Sequence, residues 1–223
     1  MQKFDTSALI TAVVDVPAGR IQVIAADRTD TTVEVLPAKV SRSRDVKAAE
    51  QTAVEFAAGV LRITTSSEGN QILGPSGSVE VTVQVPSGSN LEVKSAGAEF
   101  RGVGRLGAID CDGVYGAVTI DEAATVRLAA LGGDVTVGRL TGPGEISTQN
   151  GDVRITEAAS GALVLSTQMG DVTVNAAPGV SAVLDAGTGH GRITNALKNT
   201  EGVAAALTIR ATTGHGDITA HSK

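Results

Sequence analysis

The sequence predicts an all-β protein: a β-solenoid of stacked two-sheet coils with repeats of about 20 residues and a less regular β cap at its N-terminal end. Three observations carry this. A unit made of an aliphatic strand, a polar step, Gly-Asp and a second aliphatic strand recurs along the second half of the chain. Within each unit, apolar and polar residues alternate with the period of two that a half-buried strand requires, as in Val135/Val137, Val153/Ile155 and Val172/Val174. Finally, 27 of the 223 residues are glycine while Phe and Tyr together number four and Trp is absent. Thin coils with tight corners favour that composition, because a ring in one coil must be accommodated by both neighbours.

The elements follow in chain order. VVDVPAGRIQVIAAD (Val13 to Asp27) and VQVPSGSNLEVKSAG (Val83 to Gly97) share one pattern of strand, Val-Pro-small-Gly and strand. APGVSAVLDAG (Ala177 to Gly187) echoes it. TTVEVLP, AVEFAAGVLRITT and SVEVTVQVP supply further strands. Ser41 to Gln51 is the one stretch of helical composition, enough for one or two turns. Ser66 to Ser78 reads as a long surface loop. The repeat proper reads LAALGGDVTV around Gly133-Asp134, ISTQNGDVRI around Gly151-Asp152 and LSTQMGDVTV around Gly170-Asp171. Degraded copies lie at Ala98-Glu99, Gly116-Ala117, Gly191-Arg192 and Gly216-Asp217. Successive anchors are 18, 17, 18, 19, 21 and 25 residues apart. Seven coils stacked at about 4.8 Å would form a rod about 34 Å long. An antiparallel meander of hairpins also supplies two strands per unit. The solenoid is preferred because hairpins have no reason to hold Gly-Asp in one register. Residues 1–90 therefore form the irregular β cap and 91–223 the repeat region, within one continuous domain, with AHSK a candidate for closing the last coil.

The opening FDT…VDVPAGRIQVIAADRTDTTVEVLP, the RDVKAAEQTAVEF segment and the GDVTV-type repeats resemble the bacterial "putative adhesin" family of β-strand-repeat proteins, a domain of unknown function. The resemblance covers essentially the whole chain. It implies a β-solenoid-like fold and supplies no catalytic or cofactor residues to carry over.

Composition excludes several function classes. A formal net charge of −6 and four aromatics provide little with which to hold phosphates or stack bases, so no nucleic acid partner is expected. One cysteine, Cys111, rules out a disulfide framework. Its neighbours Asp110 and Asp112 offer no cation to activate a thiolate. No GxSxG elbow, HExxH or phosphate loop occurs, outward strand positions are mostly Thr, Ser and small residues with Arg127, Arg154 and Arg192 scattered, and no catalytic residue or cofactor is assigned.

Two metal candidates compete with plain turn chemistry. Asp134, Asp152 and Asp171, flanked by Glu99 and Asp217, would stack as a carboxylate ladder able to attract a cation. The alternative is that each Asp bonds a backbone amide in its turn. His190 and His215, in the duplicated Thr-Gly-His-Gly, would be neighbours on one edge and could share a transition metal with Asp217 or His221 nearby. Their alternative is exposed turn residues. Lys39, Arg42, Arg44 and Lys47 form a short basic run that could meet an acidic partner or simply face solvent.

The function expected is thus a non-enzymatic β-repeat scaffold or interaction protein, adhesin-like, acting on an unidentified protein partner or by self-association. A carbohydrate- or cation-binding module on the repeat face is the alternative, and a polysaccharide-active enzyme the third reading. Residues 1–16 lack the basic start and apolar run of a secretory leader, and no run of about 18 apolar residues exists. The sequence-based expectation is accordingly a cytoplasmic protein without an integral membrane segment.

Overall fold

A computed structural model describes residues 1–65 and 77–223. In chain order the first strands are β1 (Gln2–Asp5), β2 (Thr11–Asp15), β3 (Ala18–Ala26) and β4 (Asp30–Pro37), followed by helix α1 (Ser43–Glu50). Next come β5 (Thr52–Ala57), β6 (Val60–Thr65), β7 (Val79–Pro86), β8 (Asn90–Lys94) and the long β9 (Gly97–Tyr115) and β10 (Val118–Gly132). The regular coils follow: β11 (Val135–Leu140), β12 (Gly144–Asn150), β13 (Val153–Ala158), β14 (Gly161–Met169) and β15 (Val172–Ala176). The chain closes with β16 (Ala182–His190), β17 (Ile193–Ala196), β18 (Leu207–His215) and β19 (Ile218–Ser222). The helix falls inside the segment of helical composition. The loop expected at Ser66 to Ser78 lies, but for its last two residues, outside the described residues.

Each coil has a strand on each of two faces. On the first face the order is β7–β3–β9–β10–β11–β13–β15–β19–β17, all parallel. On the second it is β6–β2–β8–β9–β10–β12–β14–β18–β16, again parallel. Strands β9 and β10 serve both faces, one half each. In β9 the buried alternation changes phase between Leu106 and Ile109, just past Gly104, which adopts φ +79° as the strand leaves the first face. The core between the faces is aliphatic: Val14, Ile21, Val23, Val83, Leu106, Ile120, Val137, Ile155, Leu165 and Ile209 are all buried. Phe100 is the one aromatic ring fully inside.

Chain order and stacking order part at both ends. The coil β2–β3 lies between β6–β7 and β8–β9. The coil β18–β19 lies between β14–β15 and β16–β17. The sequence suggested coils stacked as they follow in the chain. The structure instead inserts the last coil one place in, which accounts for the two longest spacings, since the chain must step over a coil and back.

The two ends of the rod differ. At the β6–β7 end, β5 pairs antiparallel with β6, and the first face is extended by β4, antiparallel to β7, and then by β1, antiparallel to β4. Helix α1 packs on β4 and β7, burying Ala48, while the Phe4 and Phe56 rings meet at 5.5 Å. At the other end β16 and β17 are edge strands among the described residues, and the core-facing Ile193 remains 43% exposed. The polar tail AHSK does not close this end, because β19 is an inner strand.

Strand β1 is tied down by Asp30, which receives Arg28 at 2.8 Å and Lys3 at 3.1 Å. The Arg28 hydrogen bond foremost, then that of Lys3, lowers the Asp30 pKa from 3.8 to about 2. A folded value below the unfolded one means the contribution is present above about pH 4 and is lost as pH falls through about 2. Asp30→Asn should melt below wild type at pH 5–7, with the gap closing toward pH 2. A gap unchanged down to pH 2 in a melting series would show that the carboxylate is not its source.

Candidate functional site

The Gly-Asp corners join the second face to the first and stack directly. Gly116, Gly133, Gly151, Gly170, Gly216 and Gly191 follow one another in space, each with φ between +105° and +154°. At Gly133 and each later corner in that order, a Cβ would strike the carbonyl of the preceding glycine. Two side-chain ladders flank this glycine column. The buried hydroxyls of Thr148, Thr167 and Thr213, and that of the partly buried Thr188, donate to the carbonyls of Gly133, Gly151, Gly170 and Gly216. The backbone amides of Asp152, Asp171, Asp217 and Arg192 donate to the carboxylates of Asp134, Asp152, Asp171 and Asp217, at 2.7–2.9 Å.

These geometries place every candidate. Asp134, Asp152 and Asp171 do form a ladder, continued by Asp217 and ended by Arg192. Glu99 does not join it: Ala117 intervenes, and Glu99 faces Arg20 at 3.5 Å. Because each of the four carboxylates accepts a backbone amide, the ladder has an internal hydrogen-bonding role. His190 and His215 are neighbours, with ring centroids 4.7 Å apart and planes within 4°. His221 pairs with Asn175 and Ala196 toward the opposite end of β19, away from that pair. Among the described residues no group of three or more His, Cys, Asp or Glu is gathered for a metal ion.

Cys111 points into the core and is 1% exposed. Burial, with the neighbouring Asp110 charge adding to it, pushes its thiol far above the ordinary range. Native Cys111 is expected to stay unalkylated by iodoacetamide at pH 8 for hours and to react within minutes once the chain is unfolded. Rapid native labelling, read by mass spectrometry, would contradict this burial.

The two outer faces differ in a way that composition does not reveal. On the first face Thr119, Thr136, Thr173, Thr219 and Thr194 form a row interrupted by Arg154. This is the Thr-rich surface the sequence suggested. On the second face the corresponding row is charged: Glu92, Asp110, Arg127 and Glu145, then Val164, Arg210 and Asp185. Arg210 and Asp185 pair at 3.1 Å. The stretch from Glu92 to Val164 lines an open groove of about 560 Å³. Arg127 belongs to this groove, whereas Arg154 lies in the Thr row and Arg192 ends the Asp ladder, so the three arginines form no common site. The charged row is assembled from residues about 18 positions apart with no shared identity, so no linear motif announces it. Of the basic run, Arg42 precedes α1 and Arg44 and Lys47 lie exposed on it.

The family described as Toastrack DUF4097 matches residues 13–223. Solved structures similar to the chain include a "putative adhesin" from Bacteroides fragilis, with 13% identity, 98% of this chain and 95% of that one covered, and a TM-score of 0.48. A "putative cell adhesion protein" from Clostridium sporogenes is similar at 12% identity, with 100% and 98% covered and a TM-score of 0.38. A "putative adhesin" from Parabacteroides distasonis is similar at 15% identity, with 98% and 95% covered and a TM-score of 0.39. No match was found among curated proteins. The expected cytoplasmic placement is corrected here: the similar structures bear the names "putative adhesin" and "putative cell adhesion protein". Among the described residues no helix is long and apolar enough to cross a membrane.

Proposed function

The chain belongs to the Toastrack DUF4097 family, and from that premise we propose that it works without catalysis, as an adhesin-like β-solenoid that holds a partner molecule against its second face. The observation that carries this reading is the charged groove. Glu92, Asp110, Arg127 and Glu145 sit on four consecutive strands, in register, over a depression of about 560 Å³. Strands of a stacked solenoid give such a row a rigid base, so the charges are presented at fixed intervals of about 4.8 Å. Regular charge placement selects partners by complementarity more than by buried area. A protein surface fits this pattern better than a sugar, whose usual aromatic platform is missing: Phe100 is buried, Phe4 and Phe56 face each other in the cap, and the exposed Tyr115 lies at the Gly corner outside the groove.

Self-association is a second reading, favoured by the edge strands β16 and β17. Neither contains Pro or Lys, and Asp185 is the single acidic residue on them, so this edge lacks the usual protection against pairing with another chain.

The test is a charge reversal, Arg127→Glu with Glu145→Arg, in the full chain. Partners captured from native envelope and secreted fractions should be recovered at least tenfold less by the variant, with unchanged melting temperature. Equal recovery by both proteins would remove the groove from the interaction. Light scattering of the purified chain reads self-association directly, and a monomer at all accessible concentrations would dismiss it.

A further inference from the structure

The insertion of β18 between β14 and β16 brings together three donor side chains that chain order would have arranged differently. Met169 on β14 pairs in register with His215 on β18, and His215 pairs with His190 on β16. All three precede a corner glycine, namely Gly170, Gly216 and Gly191, and all three are exposed, Met169 by 55%. The two imidazoles lie 4.7 Å apart and parallel. Met169 follows on the other side of His215 at the strand spacing of about 4.8 Å. Were the coils stacked in chain order, Met169 would adjoin His190. The observed order makes His215 the middle member of the three.

We propose that Met169, His215 and His190 form a binding site for a soft transition-metal ion, Cu(I). The donor set is two imidazole nitrogens and one thioether sulfur. A thioether selects Cu(I) over the hard cations, and imidazole suits copper as well. Calcium or magnesium would require oxygen ligands. The carboxylates of the same corners, Asp171 and Asp217, accept the amides of Asp217 and Arg192. Metal–imidazole bonds of about 2.0 Å require the two nitrogens to be within about 4 Å of each other. Parallel rings aim their in-plane lone pairs the same way, so each exposed ring must swing out of the present stack, by roughly half the N–metal–N angle, before both nitrogens can face one ion. Glycines at positions 189 and 214, one residue before each histidine, leave the surface beside the rings free of side chains. The thioether, on three rotatable bonds, closes the site from the third strand. This site is independent of the charged groove, which lies on β8, β9, β10 and β12 and reaches only the start of β14, the end of that strand away from Met169.

The test uses the full chain titrated with Cu(I) under anaerobic, reducing conditions against a chromogenic Cu(I) chelator. Wild type should withdraw one equivalent. His215→Ala, the middle ligand, should lose competition entirely. Met169→Leu should weaken Cu(I) binding at least tenfold while leaving any weak Zn(II) binding by the histidine pair unchanged. Melting temperatures of the metal-free variants should match wild type, because the three side chains are exposed. Failure of wild type to withdraw Cu(I) would overturn the proposal. So would full competition by the His190→Ala/His215→Ala double variant, or Cu(I) binding indifferent to Met169→Leu.

Discussion

Gly151→Ala is expected to destabilise the protein by about 3 kcal/mol or more, whereas Gly59→Ala should cost only about 1–2 kcal/mol. Both glycines have positive φ, but Gly151 is the more demanding in conformation and in crowding alike. Gly59, at +77° in the hairpin between β5 and β6, has nothing within 4 Å of where its Cβ would stand. Gly151, at +134°, lies outside the left-handed helical region that other residues tolerate, and its Cβ would enter the carbonyl of Gly133 with the Asp134 amide 3.0 Å away. That carbonyl cannot retreat freely, because it also accepts the Thr148 hydroxyl. Relief would require parting β10–β11 from β12–β13 and weakening the Asp134–Asp152 bond beside them. Urea unfolding of the two variants decides the matter; equal costs would mean that the column's close stacking contributes nothing.

Removing residues 207–223 is expected to do more than shorten the rod. A solenoid stacked in chain order would lose its end coil and keep the rest. Here the deletion takes out the coil on which β16 and β17 rest. Leu207, Ile209 and Ile218 are at most 1% exposed, and each buried aliphatic side chain of this size contributes about 1.5–3 kcal/mol. Their loss is comparable to the whole stability of a typical domain. Hydrogen exchange should show residues 182–196 unprotected in the truncated chain, with a sharply lower unfolding midpoint, while 118–140 retain partial protection. Native protection of 182–196 would mean that β16 docks as well on β14 as on β18, and that the inserted order is not required.

Much of this architecture was legible because the repeat unit is also the hydrogen-bonding unit. Gly-Asp recurs since Gly alone fits the column and Asp alone passes a carboxylate to the next amide. The same chemistry held the stacking order, in a form easily overlooked. Of the corners from Gly133 onward, one carries Arg in place of Asp: Gly191-Arg192. The outermost coil has no further amide to receive, so that position needs no carboxylate. The missing Asp thus marks β16–β17 as the outermost coil. The long spacings of 21 and 25 residues pointed the same way. The helix was legible in RDVKAAEQ, whose composition interrupts the β pattern. The charged groove was not, because its row takes one residue from each of several strands and those residues share only their register. The Met169–His215–His190 cluster was half visible: the duplicated Thr-Gly-His-Gly gave the histidines, while their methionine neighbour depends on the insertion.

The inserted coils also set a problem of timing. A chain emerging from the ribosome completes β16–β17 before β18–β19 exists, and the 25 residues between their corner glycines take on the order of one to five seconds to synthesise. With β18–β19 absent, the Asp171 carboxylate lacks the Asp217 amide it accepts in the fold, and β16 settling directly on β14 would offer it that of Arg192 instead. Settling there would leave β18–β19 with only the outer edge to join. The order in which this protein is made and the order in which it is stacked disagree at its last coil.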